Sequence, residues 1–428
     1  MIEHLYQLFL SANGLETDTR KITPGCLFFC LKGASFDGNK FTQEAIEKGA
    51  LAVVIDNPDY SIEPKTVLVD DVLTALQQLA NHHRQQFSIP VIGITGSNGK
   101  TTSKELIGAV LETQLHVLYT HGNLNNHIGV PLTLLKLTKE HEIAVIEMGA
   151  NKPGDIRELV EIAEPTHGII TNIGRAHLEG FKNLEGVIRT KKELYDFIEA
   201  TNGELFVNSD DATLTATLPS SIRSHTYGTK GEISGELVKL SPFVEMTWND
   251  NNYTSPLLKT QLVGQYNFIN FLAAIRIGTY FGISNENCNR AIESYTPSNN
   301  RSQVTKTERN TLIVDCYNAN PTSMKSAIDS FALIDHYPKV FILGDMREMG
   351  QDAEMVHEEI VQLTIEHRLT GFFVGDEFFK WKHLHPQALF LKSTTPLISH
   401  FEQNPPEDLM ILLKGSRGIQ LESLLPLL

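Results

Sequence analysis

The first eighty-odd residues alternate short apolar runs with polar turns, a pattern that predicts strands separated by helices. Strands are indicated at CLFFCLKG, LAVVID and TVLVD, and a helix at FTQEAIEKGA between the first two runs. A helical pattern then extends from Val72 to Phe87 and leads into Ser-Ile-Pro at 88–90, which indicates a junction. We therefore assign a first domain to residues 1–86.

The second region, residues 87–297, repeats the alternation of strand and helix on a larger scale. It opens with VIGITG and continues through IAVIE and GIITNIG, with helical patterns between these runs. Such alternation indicates a mostly parallel sheet with both faces covered. Residues 203–262 differ, because GELVKL and FVEMTWND are short and alternate with polar residues. We expect an antiparallel insertion or sheet edge there, followed by the helix NFINFLAAIRIGTYFG.

A turn-rich segment, TPSNNRSQ, near residue 298 predicts a second boundary. Beyond it, four strands with intervening helices are indicated by TLIVDC, KVFILG, GFFVG and DLMILLKG. This is the pattern of a further doubly wound α/β unit. The sequence therefore predicts an α/β protein of three domains, at residues 1–86, 87–297 and 298–428.

The composition fits a folded chain of several domains. The 428 residues exceed what one ordinary core accommodates, and 41% hydrophobic with 20% charged residues is a globular balance. A formal net charge of −15 argues against a nucleic-acid-binding or anionic-membrane surface. No run approaches the roughly 18 to 20 apolar residues that span a bilayer, and MIEHLYQLFL does not have the features of a signal peptide. Scattered cysteines, of which only Cys26 and Cys30 are close, fit a reduced cytoplasmic protein.

The most informative stretch is GITGSNGKTT, from Gly93 to Thr102. A buried strand leads into a Gly-rich turn, then Lys-Thr, then a helical pattern, which is the context of a phosphate-binding loop. Lys100 would supply a positive charge and Thr101 could hold Mg²⁺. The strict motif has glycine where this chain has Ile94, and the alternative is a Gly-rich turn that merely starts a helix. We assign nucleotide contacts to Gly96, Ser97, Asn98, Gly99, Lys100, Thr101 and Thr102.

Two further strand ends carry candidate partners for a metal ion. Mg²⁺ prefers octahedral oxygen coordination, so a carboxylate near the loop is expected. Glu147 ends the strand IAVIE, and His177 follows the strand GIITNIG. Each residue alone is more often structural or solvent-exposed. Because the carboxyl ends of parallel strands face one ligand site, the three strand ends together favour a functional role.

These motifs resemble those of the Mur ligase family, and the resemblance covers nearly the whole chain. TGSNGKTT, EMGA and TNIGRAHLEG are similar to the ATPase signature of the family. GNLNNHIGVP, DCYNANPTSM, LGDMREMG and LLKGSRG resemble the subtype that adds D-alanyl-D-alanine. The resemblance implies a small N-terminal α/β domain that binds a nucleotide sugar, a central P-loop ATPase domain and a C-terminal Rossmann-like domain.

The resemblance also implies the reaction. It is the ATP-dependent joining of D-alanyl-D-alanine to UDP-N-acetylmuramoyl-tripeptide through an acyl phosphate, in peptidoglycan precursor synthesis in the cytoplasm. A monomer is the default expectation for a chain of three domains. Catalytic roles fall on Lys100, Glu147, His177 and Lys191. Thr101 and Glu147 would hold one Mg²⁺, and His177 with an N-carbamylated Lys191 would help hold a second. Carbamylation requires a neutral amine, and nearby cations such as Arg189 or Lys192 would lower the pKa of Lys191.

Further site residues follow from the same resemblance. Where the family has His-Asn before the closing helix, this chain has Tyr266-Asn267, and where the family has Gly-Arg at the junction it has Asn300-Arg301. The nucleotide contacts carried over are Asn267, Asn270 and Arg301. The residues assigned to the uridine diphosphate are Thr19 and Arg20, in Asp-Thr-Arg. The remaining substrate residues are Asn123, Asn125, Asn126, Asp315, Asn318, Asn320, Lys414, Ser416 and Arg417, the last as a bidentate partner for the dipeptide carboxylate.

Three other functions are compatible with the same motifs. A sister ligase would add another amino acid, although YNANP and GDMREMG argue against it. A P-loop regulatory protein would use ATP as a conformational switch, and substrate-dependent ADP release would exclude it. A small-molecule kinase would also release ADP, but the phosphate would stay on its product.

Overall fold

The computed structural model describes residues 1–297, 301–335 and 338–428. Within these ranges the chain forms a mixed α/β fold built on three larger sheets, in agreement with the predicted fold class. The second predicted boundary coincides with residues 298–300, which lie outside the described residues. None of the helices in these ranges is both long and apolar enough to cross a membrane.

The first domain is a small parallel sheet with helices packed on it. Its strands are β1 (Leu15–Glu16), β2 (Leu27–Phe29), β3 (Lys32–Gly33), β4 (Phe36–Asp37), β5 (Ala52–Ile55) and β6 (Thr66–Leu68). Its helices are α1 (Ile2–Ser11), α2 (Thr42–Glu47) and α3 (Val72–Arg84). The sheet has the order β1-β2-β5-β6 with parallel pairing throughout, and β3 and β4 form a separate hairpin. Strands β2 and β5 are buried at every position, as expected for a parallel sheet covered on both faces.

The first domain is fixed to the second through α3. Gln77 donates a hydrogen bond of 2.7 Å to the carboxylate of Glu158. Arg84, which is buried, donates 3.1 Å to the carbonyl of Ala163. One continuous hydrophobic cluster runs from Leu5 through the central domain. The two domains therefore share a core.

The central domain contains a large, mostly parallel sheet. Its strands are β7 (Val91–Thr95), β8 (Val117–Tyr119), β9 (Ile143–Glu147), β10 (His167–Ile170), β11 (Glu204–Asn208), β12 (Arg223–Gly228), β13 (Ile233–Lys239), β14 (Phe243–Asn249) and β15 (Leu258–Val263). Its helices are α4 (Lys100–Leu111), α5 (Gly129–Leu134), α6 (Asp155–Ala163), α7 (Leu178–Phe181), α8 (Leu184–Ala200), α9 (Ala212–Ala216), α10 (Tyr266–Tyr280) and α11 (Asn285–Ser294). The order is β15-β14-β13-β12-β11-β10-β7-β9-β8, with separate hydrophobic clusters on the two faces.

The antiparallel region is smaller than predicted. The expectation covered 203–262, but β11 pairs in parallel with both β10 and β12, and β12 pairs in parallel with β13. Antiparallel pairing is found only between β13, β14 and β15, within the described ranges. The physical reason is the short helix α9, which carries the chain back over the sheet so that β12 runs in the same direction as β11.

The C-terminal domain contains the third of the larger sheets, with helices on both of its faces. Its strands are β16 (Gln303–Lys306), β17 (Thr311–Asp315), β18 (Lys339–Gly344), β19 (Gly371–Val374), β20 (Leu389–Leu391) and β21 (Met410–Lys414). Its helices are α12 (Pro321–Leu333), α13 (Ala353–Glu366), α14 (Asp376–Phe379) and α15 (Thr394–Gln403). The order is β16-β17-β21-β18-β19-β20, with only β16 antiparallel in the described part. The predicted strands are confirmed; β16 and β20 were missed because one is polar and the other very short.

The C-terminal domain contacts the central domain next to the phosphate-binding loop. The guanidinium of Arg175 pairs with Glu359 at 2.6 Å, and the Arg175 backbone N–H donates 3.2 Å to the hydroxyl of Thr322. The backbone N–H of Glu179 donates 3.2 Å to the carbonyl of Glu348. These contacts bring the ligand edges of the two sheets together.

Candidate active site

The loop between β7 and α4 has the backbone of a phosphate-binding turn. Gly96 has a φ of +152°, and a Cβ there would lie 1.9 Å from the hydroxyl of Thr171. Only glycine fits that position without displacing the neighbouring strand. The Asn98 N–H donates 3.0 Å to the side chain of Asn172, and the Ser97 hydroxyl donates 3.0 Å to the carbonyl of Gly174. The loop is therefore preformed by contacts with the strand end after β10.

A cavity of about 1040 Å³ opens beside this loop and extends to the C-terminal domain. The predicted site residues that line it are Ser97, Asn98, Gly99, Lys100, Thr101, Thr102, Asn123, Asn125, Asn126, Glu147, His177, Asn267, Asn270, Arg301, Asp315, Asn318, Asn320 and Lys414. They come from several strand ends and from two domains. Among the described residues, the predicted ones that do not line it are Thr19, Arg20, Gly96, Lys191, Ser416 and Arg417.

Lys100 extends back along its own loop. Its ammonium donates 2.7 Å to the carbonyl of Gly96. The pKa of Lys100 is lowered to about 8, chiefly by burial; the charge of Glu147 opposes this shift and the positive charge of Arg301 adds to it. An anion placed in the cavity would favour the charged form of this lysine.

Glu147 sits at the end of β9, directly beside the loop. One carboxylate oxygen accepts hydrogen bonds from the Thr101 hydroxyl at 3.2 Å and from the Asn125 amide at 2.7 Å. The other, Oε2, is buried and has no hydrogen-bond partner within the described part of the chain. A hydroxyl beside a carboxylate with one oxygen that accepts no hydrogen bond is a donor set that fits Mg²⁺.

The same donor set cannot complete a metal site alone. Within the described ranges, no three or more His, Cys, Asp or Glu side chains are grouped closely enough to hold a metal ion. Mg²⁺ commonly uses one or two protein ligands together with water and substrate phosphates. The residues at Thr101 and Glu147 therefore fit a Mg²⁺ ion that arrives with a nucleotide.

Lys191 lies in α8 and is only 2% exposed. Burial lowers its pKa well below the usual value, and Lys100 lowers it further. The neighbouring cation is thus Lys100 rather than Arg189 or Lys192; Lys192 instead pairs with Asp196 one turn along the helix. The Lys191 amine is 6.0 Å from the centre of the Phe181 ring.

His177 faces the C-terminal domain. It has a φ of +50° at the N-terminus of α7, and its Nδ1 pairs with a carboxylate oxygen of Glu348. Burial lowers the pKa of His177, whereas Glu348 opposes that shift. In this arrangement the imidazole links the two domains at the rim of the cavity.

A chain of amides connects the loop helix to α10. The Ser103 hydroxyl donates 3.0 Å to Asn270, whose amide donates 2.9 Å to the side-chain oxygen of Asn267. Tyr266, which departs from the family pattern, bonds through its hydroxyl to Ser302 at 2.7 Å.

A cation–π pair from the start of the C-terminal domain also lines the cavity. Arg301 places its guanidinium 3.9 Å from the centre of the Tyr317 ring. Both residues line the cavity, which therefore offers an aromatic ring, a cation and amides to a ligand.

Two strands of the C-terminal sheet contribute an ion pair to the wall of the cavity. Lys414, at the end of β21, pairs with Asp315, at the end of β17, at 2.6 Å. These ends are adjacent because β17 and β21 pair in register, Asp315 opposite Lys414. The wall can therefore present both a cation and an anion to a zwitterionic ligand.

Ser416 and Arg417, which follow Lys414, have different environments. Ser416 is buried, and its hydroxyl accepts 2.9 Å from the backbone N–H of Arg347, so it shapes the loop after β18. Arg417 begins a short 3₁₀ turn and is exposed. The structure does not bring Arg417 to the cavity.

Thr19 and Arg20 lie apart from the cavity in the first domain. The Arg20 guanidinium pairs with Asp18 at 2.7 Å and is largely exposed, and hydrogen bonding to Arg20 lowers the pKa of Asp18 to about 2. The Thr19 carbonyl accepts 3.0 Å from Lys48.

Several residues at the site were not singled out from the sequence, and three of them bear on its chemistry. Glu348 and Tyr317 stand inside motifs that were quoted, LGDMREMG and DCYNANP, but only folding shows which member of each motif points to the cavity. Lys104 follows Lys100 by one helical turn and is buried against Glu147. In the sequence it was marked only as a second lysine, four residues after Lys100 in the helix that follows the loop.

Comparison with known families fits this geometry. Three family models match in order: the Mur ligase family catalytic domain at residues 11–84, the Mur ligase middle domain at 94–278 and the Mur ligase glutamate ligase domain at 300–379. Together with a relative that is 36% identical over nearly the whole chain, they show that the chain belongs to the Mur ligase family. It is an enzyme of the ligase class, as its sequence predicted.

Individual relatives indicate which type of Mur ligase this chain is similar to. The 36% identical protein is the UDP-N-acetylmuramoyl-tripeptide–D-alanyl-D-alanine ligase of Bacillus subtilis, with 96% of this chain and 92% of that protein covered. The crystal structure of MurF from Acinetobacter baumannii is similar with a TM-score of 0.90, 28% identity and coverage of 100% and 98%. MurF ligase from Thermotoga maritima, solved in complex with ADP, is similar with a TM-score of 0.87, 25% identity and coverage of 98% and 97%.

Proposed function

We propose that this ligase adds D-alanyl-D-alanine to UDP-N-acetylmuramoyl-tripeptide at the expense of ATP, in peptidoglycan precursor synthesis. The observation that carries the proposal is the single cavity that the phosphate-binding loop shares with the C-terminal strand ends. One domain supplies groups for a nucleotide and the other supplies a cation and an anion for a dipeptide. The similar proteins named above support the choice of substrates.

The proposed reaction has two steps. The terminal carboxylate of the tripeptide attacks the γ-phosphorus of ATP, so that a phosphorus–oxygen bond to ADP breaks and an acyl phosphate forms. The dipeptide amine then attacks the acyl carbon, loses a proton and displaces inorganic phosphate. The first step brings two anions together, so catalysis depends on neutralising charge and positioning the reactants.

Lys100 is the group of this chain that we assign to charge neutralisation. Its ammonium already lies at the loop, within 2.7 Å of the Gly96 carbonyl, and would move to the transferring phosphoryl group. The preformed loop offers its backbone N–H groups and the N-terminus of α4 to the phosphates. Asn267, Asn270 and Arg301 line the same cavity and would contact the rest of the nucleotide.

Thr101 and Glu147 would hold a Mg²⁺ ion, and His177 with Lys191 would contribute to a second. Bound Mg²⁺ would withdraw negative charge from the phosphates. The depressed pKa of Lys191 supports its proposed carbamylation, because the neutral amine adds CO₂ and releases a proton to give a carbamate. The carbamate is an oxygen ligand on a long side chain.

The substrates would enter from the other two domains. Thr19 and Arg20 are proposed to contact the uridine diphosphate, and Asn123, Asn125 and Asn126 the peptide arm that reaches the loop. Asp315, Asn318, Asn320 and Lys414 would surround the dipeptide, with Ser416 shaping the neighbouring loop and Arg417 approaching its carboxylate on domain closure. We propose that the enzyme works as a cytoplasmic monomer.

The test is product release from the purified enzyme with ATP, Mg²⁺ and UDP-N-acetylmuramoyl-tripeptide, with and without D-alanyl-D-alanine. We expect ADP and free phosphate in equal amounts only when the dipeptide is present, and an amide product heavier by the dipeptide less one water. Greater turnover with a single amino acid in place of the dipeptide would identify a sister ligase. Phosphate retained on the product would identify a kinase, and dipeptide-independent hydrolysis would indicate a switch protein.

A further inference from the structure

Lys104 is a buried cation for which the proposed reaction has no role. It lies in α4 one turn beyond Lys100 and is 1% exposed. It does not line the cavity that we assign to the nucleotide and the peptide. A lysine buried this deeply requires compensating negative charge nearby.

The compensating charge comes from two carboxylates, one of which lies beside the phosphate-binding loop. The Lys104 ammonium is 3.9 Å from Oε2 of Glu147 and 3.7 Å from a carboxylate oxygen of Glu105. The Tyr119 ring centre lies 5.9 Å away. At 3.9 Å the ammonium acts on Glu147 as a charge rather than as a hydrogen-bond donor. Glu147 Oε2 therefore keeps its coordination capacity while its charge is partly balanced.

We propose that Lys104 is a positioning residue that balances the charge of Glu147 and thereby sets how strongly the site binds Mg²⁺. Its ammonium is the cation nearest to Oε2 among the described residues, and a divalent cation would have to share the carboxylate with it. This inference rests on the proposed metal role of Glu147. Without Lys104 the buried carboxylate would be left with a larger uncompensated charge, which is strongly unfavourable.

If Lys104 balances the charge of Glu147, removing the Lys104 charge should make the melting temperature depend more strongly on Mg²⁺. In the wild type, MgCl₂ without nucleotide should raise the melting temperature little, because Lys104 already compensates Glu147. In Lys104→Met, which keeps the length of the side chain and removes the charge, we expect a lower melting temperature in EDTA. Its rise with MgCl₂ should be larger than that of the wild type, and its Mg²⁺ dissociation constant should be smaller by about tenfold, because a cation 3.9 Å away no longer competes.

The experiment is a melting-temperature titration of the full chain with MgCl₂, without ATP, on a set of variants. Lys104→Arg keeps the charge and should behave as the wild type does. Lys139→Met removes an exposed lysine of the same domain and should change nothing. The double variant Lys104→Met/Glu147→Gln should regain stability in EDTA and lose the enhanced response to Mg²⁺.

Each outcome separates this inference from the proposed function. An unchanged Mg²⁺ response in Lys104→Met would overturn the role of Lys104 and leave the ligase reaction untouched. If Lys104→Met does not fold in either condition, recovery of folding in the double variant supports the inference and continued failure overturns it. Should the double variant keep the enhanced Mg²⁺ response, the cation does not use Glu147, and the metal role proposed for that residue fails as well.

Discussion

The side-chain amide of Asn320 donates a hydrogen bond of 2.7 Å to the side-chain oxygen of Asn98. Asn98 belongs to the phosphate-binding loop, and Asn320 begins α12 in the C-terminal domain. The bond joins the two domains at the point where their residues share a cavity. The phosphate-binding loop is therefore hydrogen-bonded directly to the domain that we propose binds the dipeptide.

Replacing Asn320 with serine should weaken dipeptide binding without unfolding α12. Asn320 caps the helix by accepting 2.9 Å from the Ser323 N–H, and serine is also a good N-cap residue. The shorter side chain cannot reach Asn98. A hydrogen bond contributes about 1 kcal/mol, so the apparent KM for the dipeptide should rise roughly fivefold, as measured by steady-state kinetics.

The control is Asn57→Ser, because Asn57 caps a 3₁₀ turn in the first domain through the Asp59 N–H. That change should leave both KM values and the melting temperature as they are. Equal KM values for Asn320→Ser and the wild type would show that the contact does not assist closure.

Lys100 should take up a proton when a nucleotide binds. Burial holds its pKa at about 8 in the free protein, and phosphates beside the ammonium would raise that pKa. ATP affinity should therefore fall as pH rises above about 8, where the free lysine is mostly neutral. Calorimetric titration at pH 8.5 in two buffers of different ionisation enthalpy measures the uptake, which Lys100→Met should abolish.

Lys100→Ala should also remove most turnover while leaving the fold intact, as judged by an unchanged far-UV spectrum. The ammonium neutralises charge that grows in the transition state, so its loss is expected to raise the barrier by more than about 1.4 kcal/mol. Retention of more than about a tenth of the wild-type rate would be incompatible with the proposed role of the loop.

Lys191→Ala should lose most activity, and bicarbonate should not restore it. If a carbamate on Lys191 supplies an oxygen ligand, acetate or formate should partly restore turnover by occupying the vacated position. The measurement is kcat over a range of each carboxylic acid in bicarbonate-free buffer. Near-normal activity of the alanine variant in that buffer would contradict carbamylation.

Arg417→Ala should raise the apparent KM for the dipeptide far more than the apparent KM for ATP. Arg417 is exposed and lies outside the cavity, so the effect requires the turn after β21 to approach the dipeptide on binding. Arg309→Ala is the matched control, because Arg309 is an exposed arginine at the opposite edge of the same sheet. Equal effects of Arg417→Ala on both KM values would exclude a specific contact with the dipeptide carboxylate.

The amino-acid sequence alone determined the local chemistry and the order of the elements. The run GITGSNGKTT predicted strand, loop and helix, because covalent neighbours and the period of apolar residues decide those features. Glu147 could also be placed beside the loop, since parallel strands end at one edge. In the structure β9 pairs with β7, and Glu147 stands opposite Ile94.

Tertiary structure alone decided which distant side chains meet. His177 with Glu348 and Asn98 with Asn320 join residues far apart in the chain, and no period in the sequence encodes their contact. The same holds for the cation beside Lys191, which is Lys100 and not a helix neighbour.

The neighbours Ser416 and Arg417 show this division most clearly. Both stand in one motif, LLKGSRG, yet one is buried and the other exposed. The strand ends at Lys414, and the chain then turns into a 3₁₀ helix. Beyond that turn the period of the strand no longer fixes the direction of a side chain. Packing against the loop after β18 buries Ser416, whereas Arg417 remains in solvent, where water hydrates its charge.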